Sequence, residues 1–263
     1  MLRIEHDPYL RETSMSLFIY HTLFMEDICL MIRFWGQPRY SREPLKPIGY
    51  ELFLRENLNG LWRVPNDFSR FTPCQITNLL KKTAPQLSQG MQRVSINLDI
   101  DQFIDSRFYR AFFAVKTQLP YLRISIELTE HSSSQIISDE QLVLAAKHFA
   151  DANLHVILDD VGSGDNQINR VELLDPYVTE YKFAVQNFRP YESLNDIMPN
   201  LLFWHQLAAK HQKLFTIEGV ESKKDLLILS HCRVDMLQGY DLGKPVYLPT
   251  QDDAVVVNAD RCV

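Results

Sequence analysis

The chain contains little that would tie it to an oxidising environment or to a zinc site. Its four cysteines, Cys29, Cys74, Cys232 and Cys262, are scattered through 263 residues. They form no Cys-x-x-Cys pair, and no histidine stands at zinc-ligand spacing from them. We interpret them as free thiols in a reducing cytosol rather than as a disulfide framework.

The sequence also lacks a basic stripe. Lysine and arginine number 27 against 33 aspartates and glutamates, which gives a formal net charge of −6. Tight binding to long nucleic acid requires clustered positive side chains, so we exclude that class of partner. A small anionic ligand stays compatible with this charge if a bound cation offsets the repulsion.

No apolar run is free enough of polar groups to predict a membrane span. The nearest candidate, residues 17–35, contains His21, Glu26, Asp27 and Arg33. Those side chains would be costly inside a bilayer. No signal-peptide pattern with a basic start precedes this stretch, so we predict a cytoplasmic protein.

The composition predicts one globular domain. The hydrophobic fraction of 46% and the charged fraction of 23% are ordinary for such a domain, and there is no internal repeat or low-complexity linker. We predict a domain over residues 31–256 and a tail over residues 257–263. Residues 1–30 are either an amphipathic helix that docks on the body or on a protein partner, or an extension without function, and the sequence leaves both interpretations open.

Short apolar strands alternate with helical segments along most of the chain. We predict strands at residues 29–34, 48–55, 93–97, 122–128, 155–160, 178–183, 215–219 and 234–238. We predict helices at residues 73–87, 101–119, 141–152, 193–211 and 223–230. The first two strands suit an antiparallel pair, with Gly36-Gln37-Pro38 breaking the first one. Eight strands that alternate with helices predict an α/β fold with a closed barrel.

The stretch from Val156 to Gly164 is the most informative part of the sequence. A short apolar run, typical of a buried parallel strand, ends in Asp159 and Asp160, and a Gly-x-Gly turn follows at once. Two carboxylates at the carboxyl end of such a strand stand where α/β folds bind their ligands. Aspartate and glycine are also common turn residues, so this stretch alone is equally compatible with a solvated acidic turn.

Polar side chains stand at the ends of the other predicted strands as well, namely Glu51, Asn97, Glu127, Lys182, Glu218 and Gln238. Taken singly, Asn97 and Gln238 are typical of turns, and Lys182 is typical of a surface lysine. Their spacing favours a common site, because Glu127 follows Asn97 by 30 residues and precedes Asp159 by 32, each the length of one βα unit. In a βα barrel such residues converge on one mouth.

Converging carboxylates would repel one another strongly without a counter-charge. A divalent cation removes that conflict, and all-oxygen ligands favour Mg²⁺ or Mn²⁺ over zinc or copper. Because Asp159 and Asp160 are adjacent, one is able to bridge two ions while the other holds the second. We therefore predict a two-metal site suited to in-line displacement at phosphorus.

Seven motifs in chain order resemble the EAL-domain phosphodiesterases of cyclic di-GMP, of the compact stand-alone enterobacterial type. The resemblance covers about residues 34–249. Glu51-Leu52-Phe53-Leu54-Arg55 is similar to the Glu-Ala-Leu-Leu-Arg signature, and Asp159-Asp160-Val161-Gly162-Ser163-Gly164 to Asp-Asp-Phe-Gly-Thr-Gly. The others are Trp35-Gly36-Gln37-Pro38, Val94-Ser95-Ile96-Asn97-Leu98, Glu127-Leu128-Thr129-Glu130, Ile217-Glu218-Gly219-Val220-Glu221 and Gln238-Gly239-Tyr240. The resemblance implies a TIM-like (β/α)8 barrel whose first strand is antiparallel.

The resemblance also implies roles for the matching residues. The ligands of the first metal ion would be Glu51, Asn97, Glu127 and Asp159, and those of the second would be Asp159, Asp160 and Glu218. Lys182 would position or help deprotonate the attacking water, and Glu218 and Glu51 would be further catalytic residues. Arg55 would grip a substrate phosphate, with Leu52, Glu221 and Gln238 as supporting contacts. Glu130 would anchor the loop after Asp160, and a homodimer is expected by analogy.

Two departures from the family pattern keep a second hypothesis open. Ala184 stands where the family usually has aspartate, and Val161 and Asp165-Asn166-Gln167 replace the usual loop residues. The main hypothesis is a phosphodiesterase that opens cyclic di-GMP to linear pGpG, lowering a messenger that governs motility against biofilm formation and adhesion. The alternative is a catalytically silent EAL module that regulates by binding cyclic di-GMP or a protein partner.

Overall fold

The computed structural model describes residues 32–189 and 191–253. The predicted N-terminal extension (residues 1–30) and the predicted tail (residues 257–263) lie outside the described residues. The domain boundaries therefore stay predictions.

The described residues form ten strands and seven α-helices. The strands are β1 (Ile32–Ser41), β2 (Lys46–Leu58), β3 (Leu61–Arg63), β4 (Arg93–Leu98), β5 (Arg123–Leu128), β6 (His155–Leu158), β7 (Val178–Ala184), β8 (Leu214–Glu218), β9 (Met236–Leu237) and β10 (Val246–Leu248). The helices are α1 (Pro73–Thr83), α2 (Ile100–Ile104), α3 (Ser106–Gln118), α4 (Asp139–Asp151), α5 (Ile168–Leu174), α6 (Leu194–Lys210) and α7 (Lys223–Leu229). No described helix has the length and apolar character needed to cross a bilayer.

Eight strands close into a barrel because β1 pairs with both β2 and β9. Around the ring the order is β1, β2, β4, β5, β6, β7, β8 and β9. β1 is antiparallel to its two neighbours, and the other ring pairings are parallel. β3 and β10 flank the ring as antiparallel additions. The predicted TIM-like (β/α)8 barrel with an antiparallel first strand is confirmed.

The first strand does not break at Gly36-Gln37-Pro38, so that prediction was wrong. β1 continues through these residues, with Pro38 opposite Tyr50 and a register irregularity just after it. Proline is tolerated in strands beside such irregularities. Gly36 is needed for close packing rather than for a turn, because a Cβ there would lie 2.7 Å from Leu248 Cδ1 and 2.8 Å from the Tyr50 ring.

The predicted helix over residues 101–119 is two helices, α2 and α3. Asp105 separates them with extended backbone angles, and its carboxylate accepts a hydrogen bond from the backbone N–H of Arg107 at 2.9 Å. An aspartate in this position caps the next helix and satisfies one of its free N–H groups. The apolar stripe does not reveal this break, because both helices pack against α4.

A buried ion pair lies inside the barrel, below its mouth. Arg39 of β1 donates to the Glu180 carboxylate on β7, and Thr216 Oγ1 donates to Glu180 Oε1 at 2.6 Å. Both charged side chains are less than 10% exposed. Because neither charge is solvated, each depends on the other.

We predict that Glu180→Gln lowers the free energy of unfolding by about 3 kcal/mol, because it leaves the buried Arg39 guanidinium without its ion-pair partner. Urea denaturation measures this change. The control is Lys147→Met, which removes an exposed ion pair to Asp151 and should cost less than about 1 kcal/mol. Equal effects of the two substitutions would contradict the assigned role of the buried pair.

Candidate functional site

Consecutive barrel strands carry their polar residues to the same mouth. Glu51 lies on β2, Asn97 pairs in register with Glu127 between β4 and β5, and Glu218 ends β8. Parallel strands start at one end of the barrel, so their carboxyl ends meet at the other. Asp159 follows β6 directly and completes the ring of acids.

The ammonium group of Lys182 occupies the centre of this ring. Its Nζ lies 2.5 Å from Glu218 Oε1, 3.0 Å from Asp159 Oδ1 and 3.3 Å from Glu51 Oε2, and it also contacts the carboxylate of Glu127. The lysine side chain is completely buried. One positive charge therefore faces four acids in a site largely closed to solvent.

Two amides hold Glu51 in place. Asn97 Nδ2 donates to Glu51 Oε1 at 2.7 Å, and Gln238 Nε2 donates to Glu51 Oε2 at 2.6 Å. Gln238 in turn donates to Gln37 of β1 at 3.2 Å. Burial disfavours the Glu51 charge, but Lys182 and the two amides outweigh that effect, so the pKa of Glu51 is lowered.

The remaining acids bind protons unusually tightly. Burial, together with the nearby Glu51 carboxylate, raises the pKa of Glu127 to about 8. Burial and the negative charge of Asp160 raise the pKa of Asp159 to about 7, and burial raises the pKa of Asp160 to about 6. The pKa of Glu218 is also raised, first by burial and then by its acidic neighbours. Lys182 alone does not neutralise the site.

Asp159, Asp160 and Glu218 form a compact oxygen cluster. One carboxylate oxygen from each lies within 4.8 Å of the others. Several buried oxygens nearby have no hydrogen-bond partner, namely Asn97 Oδ1, Glu127 Oε1 and Asp160 Oδ1. Buried oxygens are rarely left unpartnered. Hard divalent cations take all-oxygen ligands of this kind, so the side chains fit such an ion.

The loop after Asp160 is hydrogen-bonded to the end of β5 and to the residues that follow it. Asp165 N donates to the backbone carbonyl of Glu130 at 2.9 Å. Gly164 has φ +46°, and a Cβ there would lie 2.4 Å from the same carbonyl oxygen, so the close approach requires glycine. Asn166 is fully buried and its amide donates to Leu128 O at 3.1 Å.

A cavity of about 650 Å³ opens from the acid ring, and apolar and aromatic residues make up much of its remaining lining. Arg55 is the one arginine or lysine among the described residues that line it. Its guanidinium lies 5.9 Å from the centre of the Phe53 ring, and partial burial lowers its pKa. A cavity of this volume is typical of small-molecule sites.

Comparison with known proteins decides the family. A model of the EAL domain matches residues 32–245. The chain belongs to the EAL-domain family. No curated protein matches it.

Solved structures of EAL proteins share the fold at low sequence identity. The EAL enzyme Bd1971, in its cAMP- and cyclic-di-GMP-bound form, is 19% identical with a TM-score of 0.69, over 91% of this chain and 68% of that chain. Bacillus subtilis YkuI, in complex with substrate c-di-GMP and calcium, is 15% identical with a TM-score of 0.67, over 91% of this chain and 63% of that chain. Klebsiella pneumoniae BlrP1, a calcium and cyclic-di-GMP complex, is 17% identical with a TM-score of 0.67, over 82% of this chain and 56% of that chain.

The EAL barrel places every site residue predicted from the sequence at or beside the mouth. The acid ring and its direct contacts comprise Glu51, Asn97, Glu127, Asp159, Asp160, Lys182, Glu218 and Gln238. Leu52, Arg55, Glu130 and Glu221 line the cavity next to it. The chemical roles of these residues stay predictions.

The sequence did not reveal four further residues that support the EAL site, which are Gln37, Arg39, Asn166 and Asn187. Gln37 and Arg39 belong to β1, the stretch in which a strand break was expected. Asn166 was visible only as a departure from the family loop. Asn187 donates to Asp160 Oδ2 at 2.8 Å, and no pattern in the sequence pointed to it.

The raised pKa values predict a specific pH dependence. A carboxyl whose pKa is higher in the folded than in the unfolded protein stabilises the fold while it is protonated, and that contribution is lost as the pH rises. We expect the melting temperature of the EAL domain in EDTA to fall from just above the ordinary carboxyl pKa of about 4 in the unfolded chain to about pH 8, by which point Asp160, Asp159 and Glu127 have ionised in the folded protein. Scanning calorimetry at several pH values measures this effect.

Saturating Mn²⁺ should remove the decline, because the cation takes the place of the protons. Glu127→Gln is the matched variant, since a glutamine is uncharged at every pH and should flatten the curve in EDTA near pH 8. Identical pH profiles in EDTA and in Mn²⁺ would contradict the prediction.

Proposed function

We propose that the protein is a divalent-metal-dependent phosphodiesterase that hydrolyses cyclic di-GMP to linear pGpG. The observation that carries this proposal is the convergence of Glu51, Glu127, Asp159 and Glu218 on Lys182 Nζ. Membership of the EAL family supports the choice of a cyclic dinucleotide, since the similar protein YkuI is described with substrate c-di-GMP.

Mg²⁺ or Mn²⁺ is the proposed cofactor, with two ions per site. The proposed ligands are Glu51, Asn97, Glu127 and Asp159 for one ion, and Asp159, Asp160 and Glu218 for the other. When bound, the ions supply positive charge that acidifies a water molecule and stabilises negative charge on the phosphoryl oxygens. The unpartnered buried oxygens of Asn97, Glu127 and Asp160 support this assignment.

Lys182 is proposed to orient the attacking water as an ammonium group. Burial disfavours its charge, but the surrounding acids outweigh that effect and raise its pKa well above the usual value. A protonated lysine donates hydrogen bonds and accepts none, which favours the positioning role over deprotonation. Glu218 is the proposed proton acceptor, because its oxygen lies 2.5 Å from Lys182 Nζ, beside the water that Lys182 would orient.

Arg55 is proposed to bind a phosphate of the substrate. It is the one arginine or lysine among the described residues lining the cavity, and a guanidinium forms paired hydrogen bonds with phosphate oxygens. Leu52, Glu221 and Gln238 are the proposed supporting contacts. The backbone carbonyl of Glu130, which accepts from Asp165 N, supports the proposed role of that residue as loop anchor.

The cellular part of the proposal follows from the reaction. Removal of cyclic di-GMP would favour motility over biofilm formation and adhesion. A cytoplasmic location, a homodimer and a protein partner for residues 1–30 stay predictions.

The direct test is to incubate the purified protein with cyclic di-GMP and either Mg²⁺ or Mn²⁺ and to separate the products by chromatography. We expect pGpG, and we expect EDTA to prevent its formation. Products other than pGpG would contradict the proposed reaction, and turnover that survives EDTA would contradict the proposed cofactor.

A second candidate is a catalytically silent EAL module that binds cyclic di-GMP or a protein partner. It is favoured by Ala184, which is buried and pairs in register with Glu218, so no acid projects from this position beside the ring. Cyclic di-GMP binding without product, measured by calorimetry in Mn²⁺, would select this candidate over the enzyme.

Two substitutions separate the roles within the ring. Lys182→Met should lower turnover about a hundredfold, since misplacing a reactant from its productive position costs about that much. The same substitution should tighten Mn²⁺ binding, because it removes a positive charge that competes for the same carboxylates. Glu51→Gln should weaken both turnover and Mn²⁺ binding.

Lys224→Met, at an exposed position, is the control and should change neither quantity. The measurements are steady-state kinetics and Mn²⁺ titration calorimetry. Full turnover in Lys182→Met would contradict the role proposed for Lys182. Full turnover in Glu51→Gln would contradict the assignment of Glu51 as a metal ligand.

A further inference from the structure

Asn187 joins the two ends of the turn that carries Asp160. It ends the short 3-10 helix Val185–Asn187, which follows β7 directly. Its Nδ2 donates to Asp160 Oδ2 at 2.8 Å and to Ser163 Oγ at 3.4 Å. A single exposed amide thus links the strand that bears Lys182 to the turn that follows β6.

Asp160 needs such a contact more than the other acids do. Neighbouring residues of a strand point to opposite faces, so Asp159 and Asp160 reach one site only if the backbone leaves the extended conformation. Asp160 has φ +46°, a left-handed conformation that is uncommon for residues other than glycine, although aspartate and asparagine adopt it more readily than most. The turn is held by backbone hydrogen bonds from Ser163 N to Asp160 O and from Val161 N to Lys182 O, both at 2.9 Å.

The side chain of Asp160 is held differently from its acidic neighbours. The other four acids of the site contact Lys182 Nζ within ion-pair distance, whereas the described contacts of that ammonium group do not include Asp160. Asn187 binds one oxygen of Asp160, and the other, Oδ1, is buried without a hydrogen-bond partner. The amide therefore fixes the rotation of the carboxylate and leaves one oxygen for the cluster with Asp159 and Glu218.

An amide suits this position for an electrostatic reason. It donates a hydrogen bond without adding charge to a site that already holds five acids and one lysine. A carboxylate in its place would repel Asp160, and a longer cation would compete with a metal ion for the same oxygens. Groups that orient metal ligands in this way typically change metal affinity by about 10- to 100-fold.

We propose that Asn187 is a positioning residue for the divalent cation held by Asp159, Asp160 and Glu218. This inference rests on the proposed function, because it assumes that the cluster binds an ion. It assigns to Asn187 an effect on one ion only. The affinity for the ion that Asp160 contacts depends on the Asn187 amide, whereas the affinity for the ion held by Glu51, Asn97 and Glu127 does not.

The test is Mn²⁺ titration calorimetry on the full chain, in the absence of substrate, with Asn187→Leu. Leucine is similar in size and removes the donor. We expect one of the two binding events to weaken about tenfold, at the lower end of the usual range because Asn187 is exposed, while the other is unchanged. The melting temperature in EDTA should stay the same. Asn187→Gln, which keeps an amide, should recover most of the affinity, and Asn195→Leu, at an exposed position of α6, is the matched control.

Each outcome separates this inference from the proposed function. If Asn187→Leu binds two Mn²⁺ ions as tightly as the unchanged protein does, the positioning role is overturned and the proposed function stands. If both binding events weaken together with the melting temperature in EDTA, the residue is merely structural and the inference is also overturned. If the unchanged protein binds no Mn²⁺, the metal site and the inference fail together.

Discussion

The structure depends on one buried ammonium group that faces an excess of acid. Lys182 contacts four carboxylates and is completely buried. Charges are costly to bury unless they are paired, and a single cation does not balance four anions. The excess negative charge is neutralised either by protons, as the raised pKa values of Glu127 and Asp159 indicate, or by bound divalent cations. The same imbalance that makes the metal-free site prefer protons makes it a fitting site for hard metal ions.

The antiparallel strand β1 closes the barrel and also supplies side chains to its interior. It carries Gln37 and Arg39 into the interior, where Gln37 accepts a hydrogen bond from Gln238 and Arg39 pairs with Glu180. Glu180 and Lys182 point to the same side of β7, since side chains on a strand repeat every two residues. The interior therefore has two charged layers. The lower one is neutral and the upper one is strongly acidic, and Arg39 contributes to the lowered pKa of Glu51.

Much of the fold followed from local pattern. The alternation of apolar strands and helices predicted the barrel, because strand and helix periods are properties of short stretches. The errors lie where a local signal had a tertiary explanation. Gly36 and Pro38 indicated a break, but the glycine accommodates the Tyr50 ring and Leu248 inside a continuous strand. The helix cap at Asp105 was missed because a single aspartate within an apolar stripe does not identify a boundary by itself.

The sequence by itself determined which chemistry the mouth would hold, because the acids, the asparagine and the lysine stand at strand ends separated by whole βα units. It did not determine how those groups are paired. Glu51 lies 131 positions from Lys182 and 187 from Gln238, and only closure of the barrel brings them into hydrogen-bond contact. The left-handed backbone at Asp160 and its contact with Asn187 were likewise decided by the tertiary structure. Contacts of this kind depend on how separate strands are placed relative to one another. The spacing of residues along the chain does not determine that placement.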